Sequence, residues 1–511
     1  MDWSEGYLTE EYIYGYFVDP SPGTLRLACL SAGIAPPPTQ GLRYLELGFG
    51  QGLSINIHAA AVPGEFWGND FNPAQTAFAR AMAEAAGSDA VLLEDSFAEL
   101  ANRPDLPEFD IIALHGIWTW ISDENRRIII DIIRRKLRYG GLVYVSYNSV
   151  PGWAPSAPLR HLIKLYGDLA SSDTASVADR LDAGIKFTER VVEAGALYFS
   201  QTPAAVNRLK SMEGQDRHYL SHEYFTRDWR VMAFSDMVRV LHDAGLTFGA
   251  SAAILDHFNW ANITREGCKL LEGIEHPILR QSVRDFMVNE QFRRDVFVKG
   301  PRRLTRTERA EMLRTESFVL AHHPDDIPMQ IKGASGDVTL KEKIYRPLIE
   351  VLAEENYAPK TLGQLSDHAK LKFLNWVDIF EAVSVLVGTY NARPALETGS
   401  EAQKRCAGLN RFLCERARDQ GEIQILASPA AGSGVYVGRN EQLFILARQL
   451  GKTTIPEIAA YVRGLASEHG FAFSSDNRQL TTPEEILAAL TKDVTNFLDK
   501  RMPMLKALGI A

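Results

Sequence analysis

Short apolar runs alternate with longer stretches of mixed polarity between residues 43 and 148. The apolar runs predict strands, and they read RYLEL, EFWGND, AVLLED, FDIIALHG and GGLVYVSYN. The stretches between them repeat apolar positions at helical spacing, and they read GLSINIHAAAV, NPAQTAFARAMAEAAG, SFAELA and DENRRIIIDIIRRKLR. Strands and helices in this alternation predict an α/β fold with a parallel, doubly wound, Rossmann-like sheet. Ligands of such sheets bind beyond the carboxyl ends of the strands.

The pattern after residue 155 divides the rest of the chain. A helical stretch that is richer in polar residues runs from about 156 to 225, and GLTFGASAAI and RDVFVKG predict two further strands. GPRRLTRTERAEM reads as a connector, and YRPLIEVLAEE, TLGQLSDHA and LNWVDIFEAVSVLVG predict amphipathic helices. The first three predicted units are an N-terminal arm (1–40), a ligand-binding core (41–155), and a helical insertion with a region that completes the catalytic unit (156–300). A helical domain follows (301–395), for which a winged-helix-like module is one arrangement. The last unit is a mixed C-terminal domain (396–511).

Composition narrows the class of protein. The chain has 511 residues, 46% hydrophobic and 23% charged, which indicates several globular domains. The net charge of −9 argues against a general nucleic-acid partner, because phosphate neutralisation needs a basic surface. The four cysteines form no C-x-x-C pair, so neither a disulfide framework nor a zinc site is expected. The acidic, aromatic N-terminus and the lack of about 18 uninterrupted apolar residues predict a soluble, cytoplasmic protein without membrane insertion.

Three glycines follow the first predicted strand, in YLELGFGQGLSINI. Gly48, Gly50 and Gly52 leave backbone amides bare beside a ligand. A phosphate-binding loop would need a lysine after Gly52, and a dinucleotide fingerprint would need glycine where Leu53 stands. The spacing E-x-G-x-G-x-G suits a ligand without phosphate, such as the amino-acid half of S-adenosylmethionine, whose ammonium would donate to Glu46 or to nearby carbonyls. A tight structural turn is the alternative explanation.

Two acids end the next two predicted strands. Asp70 is placed to accept hydrogen bonds from the ribose hydroxyls. A dinucleotide-binding site needs an acid at the same place, so Asp70 alone does not distinguish the two cofactors. Asp95 is placed to accept from the adenine amino group, with Ser96 and Phe97 as walls of the ring. The loop and both acids together favour S-adenosylmethionine as the cofactor. The predicted cofactor-binding residues are Glu46, Gly48, Gly50, Gly52, Asp70, Phe71, Asp95, Ser96, Phe97 and His115.

These motifs resemble those of the class I S-adenosylmethionine-dependent methyltransferases over roughly residues 41 to 155. The stretches that carry the resemblance are LELGFGQG, GNDFNPAQ, LLEDSF, FDIIALHGIWTWIS and LRYGGLVYVSYNSVPGW. HGIWTWIS, SYNSVPGW, HEYFTRDWRVMAFSDMVRVLHDAGLTFGASA and FRRDVFVKG look like the prokaryotic branch that carries a methyltransferase regulatory domain. That branch includes protein-lysine methyltransferases of bacterial outer-membrane proteins. The resemblance implies a methyltransferase sheet with a helical insertion, additional C-terminal domains that are mostly α, and His115 on the acceptor side.

The methyl acceptor is left open between an amine and a hydroxyl. A lysine amine needs desolvation rather than a strong base, and tryptophans predict an aromatic channel for it at Trp118, Trp120 and Trp153. A glycan or small-molecule hydroxyl needs a positioned base, for which the candidate catalytic residues are His115, Tyr147 and Asn148. Plain packing is the alternative for each of these side chains. A protein lysine is the favoured acceptor, with O-methylation or a non-catalytic cofactor-binding scaffold as alternatives.

A basic run begins at the last predicted strand of the catalytic unit and continues beyond it. It contains Arg293, Arg294, Lys299, Arg302, Arg303, Arg306 and Arg309. Runs of this kind usually form a solvated face, and docking of an acidic partner is the less favoured alternative. The pattern predicts no oligomeric state and no metal site.

Overall fold

A mixed seven-stranded sheet forms the centre of the catalytic unit. The computed structural model describes Tyr7 and residues 13–172, 174–397, 399–475 and 478–511. The strands of the sheet are β1 (Arg43–Leu47), β2 (Glu65–Asn69), β3 (Val91–Leu93), β4 (Phe109–Leu114), β5 (Leu137–Asn148), β6 (Leu246–Ser251) and β7 (Phe292–Lys299). Their spatial order is β3-β2-β1-β4-β5-β7-β6. The first five strands are parallel, and β7 runs antiparallel to both β5 and β6.

Helices cover both faces of this sheet, as the sequence pattern predicts. The helices of the first 300 residues are α1 (Pro22–Ser31), α2 (Leu53–Ala61), α3 (Pro73–Ala86), α4 (Phe97–Ala101), α5 (Asp123–Lys136), α6 (Ala157–Ala170), α7 (Val177–Glu193), α8 (Leu197–Gln201), α9 (Pro203–Ser211), α10 (Arg217–Phe225), α11 (Phe234–His242), α12 (Arg265–Glu272) and α13 (Pro277–Val288). Strand β4 is buried along its whole length because both faces are covered. The Rossmann-like fold class, with a helical insertion between β5 and β6, is confirmed.

The remaining chain is mainly helical with small antiparallel sheets. Its helices are α14 (Arg306–Thr315), α15 (Glu342–Tyr357), α16 (Leu362–Asp367), α17 (Trp376–Gly388), α18 (Ser400–Arg416), α19 (Arg439–Gln449), α20 (Ile455–His469), α21 (Pro483–Asn496) and α22 (Met502–Ala507). Its strands are β8 (Ser317–Leu320), β9 (Gln330–Gly333), β10 (Gly336–Thr339), β11 (Lys360–Thr361), β12 (Ala392–Ala395), β13 (Ile425–Ser428), β14 (Ser433–Tyr436), β15 (Ser474–Ser475) and β16 (Arg478–Gln479). Within the described ranges no helix is long and apolar enough to cross a membrane.

The apolar cores continue across the predicted domain boundaries. Helix α18 packs on α2 and α3, and one cluster of buried side chains joins Leu53 and Met82 to Leu409 and Leu413. A second cluster joins Leu27 of α1 to helices α15 and α17. The boundaries themselves stay predictions, and residues 1–6 and 8–12 of the predicted N-terminal arm lie outside the described residues.

Two sequence-based expectations about residues 293–315 are wrong. The segment read as a connector contains helix α14, which begins with a capping box between Thr305 and Glu308. Part of the basic run is buried rather than solvated, because β7 lies inside the sheet between β5 and β6. The Arg293 guanidinium donates to Asp295 at 2.8 Å and also pairs with Asp285, and its side chain is 3% exposed.

Candidate active site

The glycine loop connects β1 to α2, and its three glycines adopt left-handed backbone conformations. Gly48, Gly50 and Gly52 have φ angles of 65°, 58° and 74°. A Cβ on Gly52 would lie 2.4 Å from Cβ of Ala79, so this glycine lets α2 approach α3 closely. A Cβ on Gly50 would meet nothing within 4 Å, so only this glycine of the three faces open space. The loop therefore packs against α3 at Gly52 and leaves open space beside its backbone at Gly50.

Asp70 holds this loop in place from the end of β2. Its Oδ2 accepts the Gly50 N–H at 2.8 Å, and its Oδ1 accepts the Asn72 N–H at 2.9 Å. Burial raises the pKa of Asp70 to about 6, although the two backbone N–H groups act in the opposite direction. Each carboxylate oxygen has a second lone pair, which remains for a ligand hydroxyl.

Glu46 is a buried carboxyl directly before the loop. It is 4% exposed, and burial raises its pKa to about 8. Its Oε2 has no hydrogen-bond partner in the part of the chain that the structure describes. A buried, unsatisfied carboxyl is costly unless a donor or a cation reaches it. This orphaned oxygen and the open cradle at Gly50 fit a ligand with an ammonium group, as S-adenosylmethionine has.

A pocket at the carboxyl ends of β1, β2 and β3 contains most of the predicted cofactor residues. It is lined by Tyr7, Gly48, Asn69, Asp70, Phe71, Asp95, Ser96, Phe97 and Asn125. Asp95 accepts from Arg103 at 3.1 Å, and its backbone carbonyl accepts from the Asn69 side chain at 2.9 Å. Phe97 begins helix α4, which Ser96 caps. The carboxyl ends of three neighbouring strands thus converge on one pocket.

Three pocket residues were missed by the sequence analysis. Tyr7 lies on the N-terminal arm, and its ring centroid is 5.4 Å from that of Phe71. Asn125, in the first turn of α5, donates to the Tyr7 hydroxyl at 3.4 Å. Asn69 directly precedes Asp70, and its place at a strand end was the one local signal available. Tyr7 and Asn125 carry no such signal, because their positions depend on tertiary contacts.

His115 follows β4 and lies between aromatic rings. Its ring stacks on Phe17 with centroids 3.6 Å apart, and its Nδ1 is 2.8 Å from the Tyr144 hydroxyl. Phe292 approaches the same ring edge-on at 5.7 Å. Burial, with a smaller contribution from the nearby Arg294 charge, lowers the pKa of His115 to about 3. The imidazole is therefore neutral at neutral pH.

The structure does not bring Tyr147 and Trp118 to this site. Side chains alternate along β5, so Tyr144 faces His115 while Tyr147 faces the opposite side of the sheet. The Tyr147 hydroxyl donates to Asp295 at 2.7 Å, and burial raises its pKa well above 10. Trp118 is fully buried in the same core cluster as Tyr147. Both side chains contribute to packing here, and their predicted roles remain predictions.

Trp120 and Trp153 contact two arginines that neighbour a buried acid, Glu223 of α10, which the sequence analysis also missed. The Arg160 guanidinium lies 5.9 Å from the centre of Trp120 and 4.7 Å from that of Trp229. Arg208 lies 4.5 Å from the centre of Trp153, whose ring is 5.6 Å from Trp229. These arginines therefore already cover indole faces that the sequence analysis assigned to the acceptor.

Glu223 is the titratable group of this aromatic cluster. It is 8% exposed, and burial raises its pKa to about 7 against the opposing effects of Arg208, Arg160 and Asn148. The ion pair with Arg208 is long, at 3.8 Å. Glu223 lies within HEYF, a stretch that carries the family resemblance but does not itself indicate a buried acid. Its approach to Asn148 is a contact between the helical insertion and the end of β5.

The fold and the site define an S-adenosylmethionine-dependent methyltransferase. Four features indicate S-adenosylmethionine as the cofactor. They are the sheet order with antiparallel β7, the open backbone at Gly50, the Glu46 oxygen without a described partner, and the acids at successive strand ends.

Comparison with known proteins gives the family. Residues 45–141 match a family described as a methyltransferase domain, and residues 216–299 match one described as a predicted methyltransferase regulatory domain. The Synechocystis protein sll1526 is 36% identical over 517 residues and covers 100% of both chains. The chain belongs to this family of class I methyltransferases with a regulatory domain. A second relative, RP789 of Rickettsia prowazekii, is 26% identical over 51% of this chain and 46% of its own length.

Solved structures share the overall architecture. PKMT2 from Rickettsia typhi, solved in complex with AdoHcy, has a TM-score of 0.71 with 17% sequence identity, over 98% of this chain and 100% of its own. A second structure of PKMT2 from Rickettsia typhi has a TM-score of 0.70 with 18% identity, over 98% of this chain and 100% of its own. At this level of identity the likeness shows a common fold.

Proposed function

We propose that this methyltransferase transfers the methyl group to the side-chain amine of a protein lysine. In this proposal Glu46 accepts from the cofactor ammonium, the loop from Gly48 to Gly52 supports the methionine part, Asp70 accepts the ribose hydroxyls, and Asp95 accepts from the adenine amino group. Phe71, Ser96 and Phe97 enclose the adenosine. When bound, S-adenosylmethionine supplies an electrophilic methyl group on a sulfonium sulfur.

The observation that carries the choice of acceptor is the environment of His115. Stacking on Phe17 and the contact with Tyr144 leave a neutral imidazole whose pKa is about 3. A phenol has a pKa of about 10, so proton transfer from it to such a group is uphill by about 10 kcal/mol. Aliphatic hydroxyls are weaker acids still. His115 is therefore a poor general base for O-methylation.

A lysine acceptor avoids this difficulty. Formation of the neutral amine at pH 7 costs about 4 to 5 kcal/mol in water, and desolvation in an apolar channel lowers this cost. The bound sulfonium would supply its methyl group to the lone pair of the lysine Nζ and would leave as a thioether. Positioning supplies most of the catalysis in such a displacement. His115 acts in this scheme as a neutral wall of the site.

Glu223 and Asn148 support the amine side of the proposal. A buried carboxyl with a pKa of about 7 both attracts an incoming ammonium and is able to take its proton at neutral pH. Asn148, at the end of β5, lies near this carboxyl and lowers its pKa. Trp120 and Trp153 hold the arginines that flank it, which makes them positioning residues in the proposal.

The test is a labelling experiment with the full chain. The protein is incubated with S-adenosylmethionine carrying a radioactive methyl group and a fractionated bacterial extract, and labelled protein is hydrolysed for amino-acid analysis. We expect label in N-methylated lysine, absent with Glu46→Gln and retained with Glu84→Gln, which changes an exposed glutamate on α3. Label confined to glycans, to small molecules or to base-labile methyl esters would contradict the lysine proposal and leave the methyltransferase class intact.

A further inference from the structure

A second cavity of about 410 Å³ lies apart from the adenosine pocket and shares no lining residue with it. Its wall combines the N-terminal arm, the segment between β6 and α12, the segment from α13 to β7, the β9–β10 hairpin and the segment from the end of α17 into β12. Four of these five parts are remote in sequence from the cofactor motifs. The cavity is large enough for a small organic molecule.

Arg393 of β12 is a buried cation on this wall that forms no ion pair with a described carboxylate, the nearby Asp19 being paired with Arg294. It is 7% exposed, and no carboxylate in the described ranges lies within ion-pair distance of it. One Nη donates to the backbone carbonyls of Tyr390 and Ala392, at 2.8 and 3.1 Å, while Nε has no partner among the described residues. Burial lowers the pKa of Arg393. A buried guanidinium without a counter-ion is unfavourable, so the site is electrostatically incomplete.

The other two arginines of this wall are paired with carboxylates but keep unused donors. Arg294 pairs with Asp19 at 3.1 Å, and Arg284 pairs with Asp256 at 2.7 Å, yet both arginines keep a buried Nε without a partner in the described part of the chain. Lys332 adds an exposed cation. Four cationic side chains therefore line the cavity against three carboxyls, which are Asp19, Asp256 and Glu290.

We propose that this cavity binds a small anion, a carboxylate or a phosphate, with Arg393 as its counter-ion and Arg294 and Lys332 as further donors. The inference goes beyond the proposed function and holds whichever acceptor is methylated. Phe292 lines the cavity and also contacts the His115 ring, and Asp19 is close in sequence to Phe17, which stacks on His115. A bound anion therefore sits next to the candidate acceptor site, where its occupancy is expected to change the rate of methyl transfer.

The test is calorimetric titration of the full chain with inorganic phosphate and, separately, with succinate, at constant ionic strength in chloride. We expect saturable binding of at least one probe, which identifies the preferred anion chemistry. Arg393→Gln should weaken the binding at least tenfold, because a charge-assisted hydrogen bond is lost. Lys332→Gln, on the exposed rim, should weaken it by a smaller factor, while Lys210→Gln on α9, away from the cavity, should leave it unchanged.

Two results would overturn the proposal. One is the lack of saturable binding of both probes to the wild-type chain. The other is equal affinity in the wild type and in Arg393→Gln. If Arg393→Gln does not fold, Lys332→Gln decides: weaker binding in this variant than in Lys210→Gln supports the site, and identical binding in both contradicts it.

Discussion

Phe17 and His115 stack nearly parallel, with their ring centroids 3.6 Å apart and their planes 19° from each other. The contact joins the N-terminal arm to the end of β4, and it covers one face of the imidazole. The other ring neighbours of His115 are Tyr144 and Phe292, on β5 and β7. The arm thus completes an aromatic enclosure that the sheet alone leaves open.

The first prediction concerns this enclosure. In Phe17→Leu, water reaches the imidazole, and we expect the pKa of His115 to rise from about 3 toward the ordinary value of about 6.5. NMR titration of the histidine resonances measures this directly. The matched control is Phe78→Leu on α3, which removes an aromatic contact between α3 and Tyr14 of the arm and leaves the Phe17–His115 stack in place. An unchanged His115 pKa in Phe17→Leu would show that stacking is not the cause of the shift.

The same shift predicts a pH dependence of stability. Between pH 6.5 and 3 the unfolded chain binds a proton on this histidine and the folded chain does not. Stability is therefore fully present above about pH 6.5 and is lost as pH falls, by about 1.4 kcal/mol per pH unit for this group. In Phe17→Leu the loss between pH 7 and pH 5 should be smaller by about 1 to 2 kcal/mol, relative to Phe78→Leu. Chemical denaturation at several pH values checks this difference.

The second prediction concerns Asp70, which serves the loop and, in our proposal, the ribose. Asp70→Asn keeps one acceptor but loses the charge, and we expect S-adenosylmethionine binding to weaken by about 10-fold to 100-fold. Calorimetric titration measures the affinity, and Asp89→Asn, an exposed change after α3, is the control. Full affinity in Asp70→Asn would contradict a role of this carboxylate in cofactor binding and would leave it only its hydrogen bonds with the Gly50 and Asn72 amides.

The third prediction separates acceptor chemistry from cofactor binding. Glu223→Gln should lower kcat/KM for the protein acceptor by at least about tenfold while the affinity for S-adenosylmethionine stays unchanged, because Glu223 does not line the adenosine pocket. The limb of the pH–rate profile near pH 7 should disappear with it. Glu213→Gln, at an exposed site between α9 and α10, is the control. An unaltered profile would remove Glu223 from the proton path.

The fourth prediction tests whether the C-terminal region shares a packed core with the cofactor-binding domain. Gly408 of α18 lies against α3, and a Cβ there would be 2.4 Å from the Ala85 carbonyl oxygen. Gly408→Ala should therefore destabilise the chain by about 1 to 3 kcal/mol and weaken cofactor binding through α3. The matched change Gly464→Ala, in α20, meets nothing within 4 Å and should stabilise by about 0.5 to 1 kcal/mol. Thermal unfolding compares the two, and equal effects would contradict a shared core.

Most of the fold and part of the site could be predicted from sequence because their signals are local. Each strand of the sheet from β1 to β5 was predicted at its place, and the acids at the ends of β2 and β3 came with it. The predicted residues Gly48, Asp70, Asp95 and Phe97 line one pocket. A strand, a turn and a helix that follow one another directly carry their own periodicity, so neighbouring residues reveal them.

The acceptor side was predicted less well. Tyr147 was expected at the rim of the active site. Successive side chains of a strand point to opposite faces of the sheet, so Tyr147 lies on the face opposite to Tyr144, and its hydroxyl donates to Asp295 of β7. Arg293 was expected in solvent, but the insertion of β7 between two strands buries it. Glu223 had no local signal of its own. Its chemistry arises from burial beside Arg208 and Asn148, which belong to other elements.

The sequence by itself determined the Rossmann-like alternation, the glycine loop and the cofactor acids, since these depend on residues close together in the chain. Only the tertiary structure decided that Phe17 covers His115, that Glu223 lies beside Asn148, and that Arg393 is buried without an ion pair to any described carboxylate. The reason is that burial and pairing of a charged or titratable group depend on what distant segments place around it. Such long-range contacts set the pKa values, and through them the chemistry, of the acceptor side.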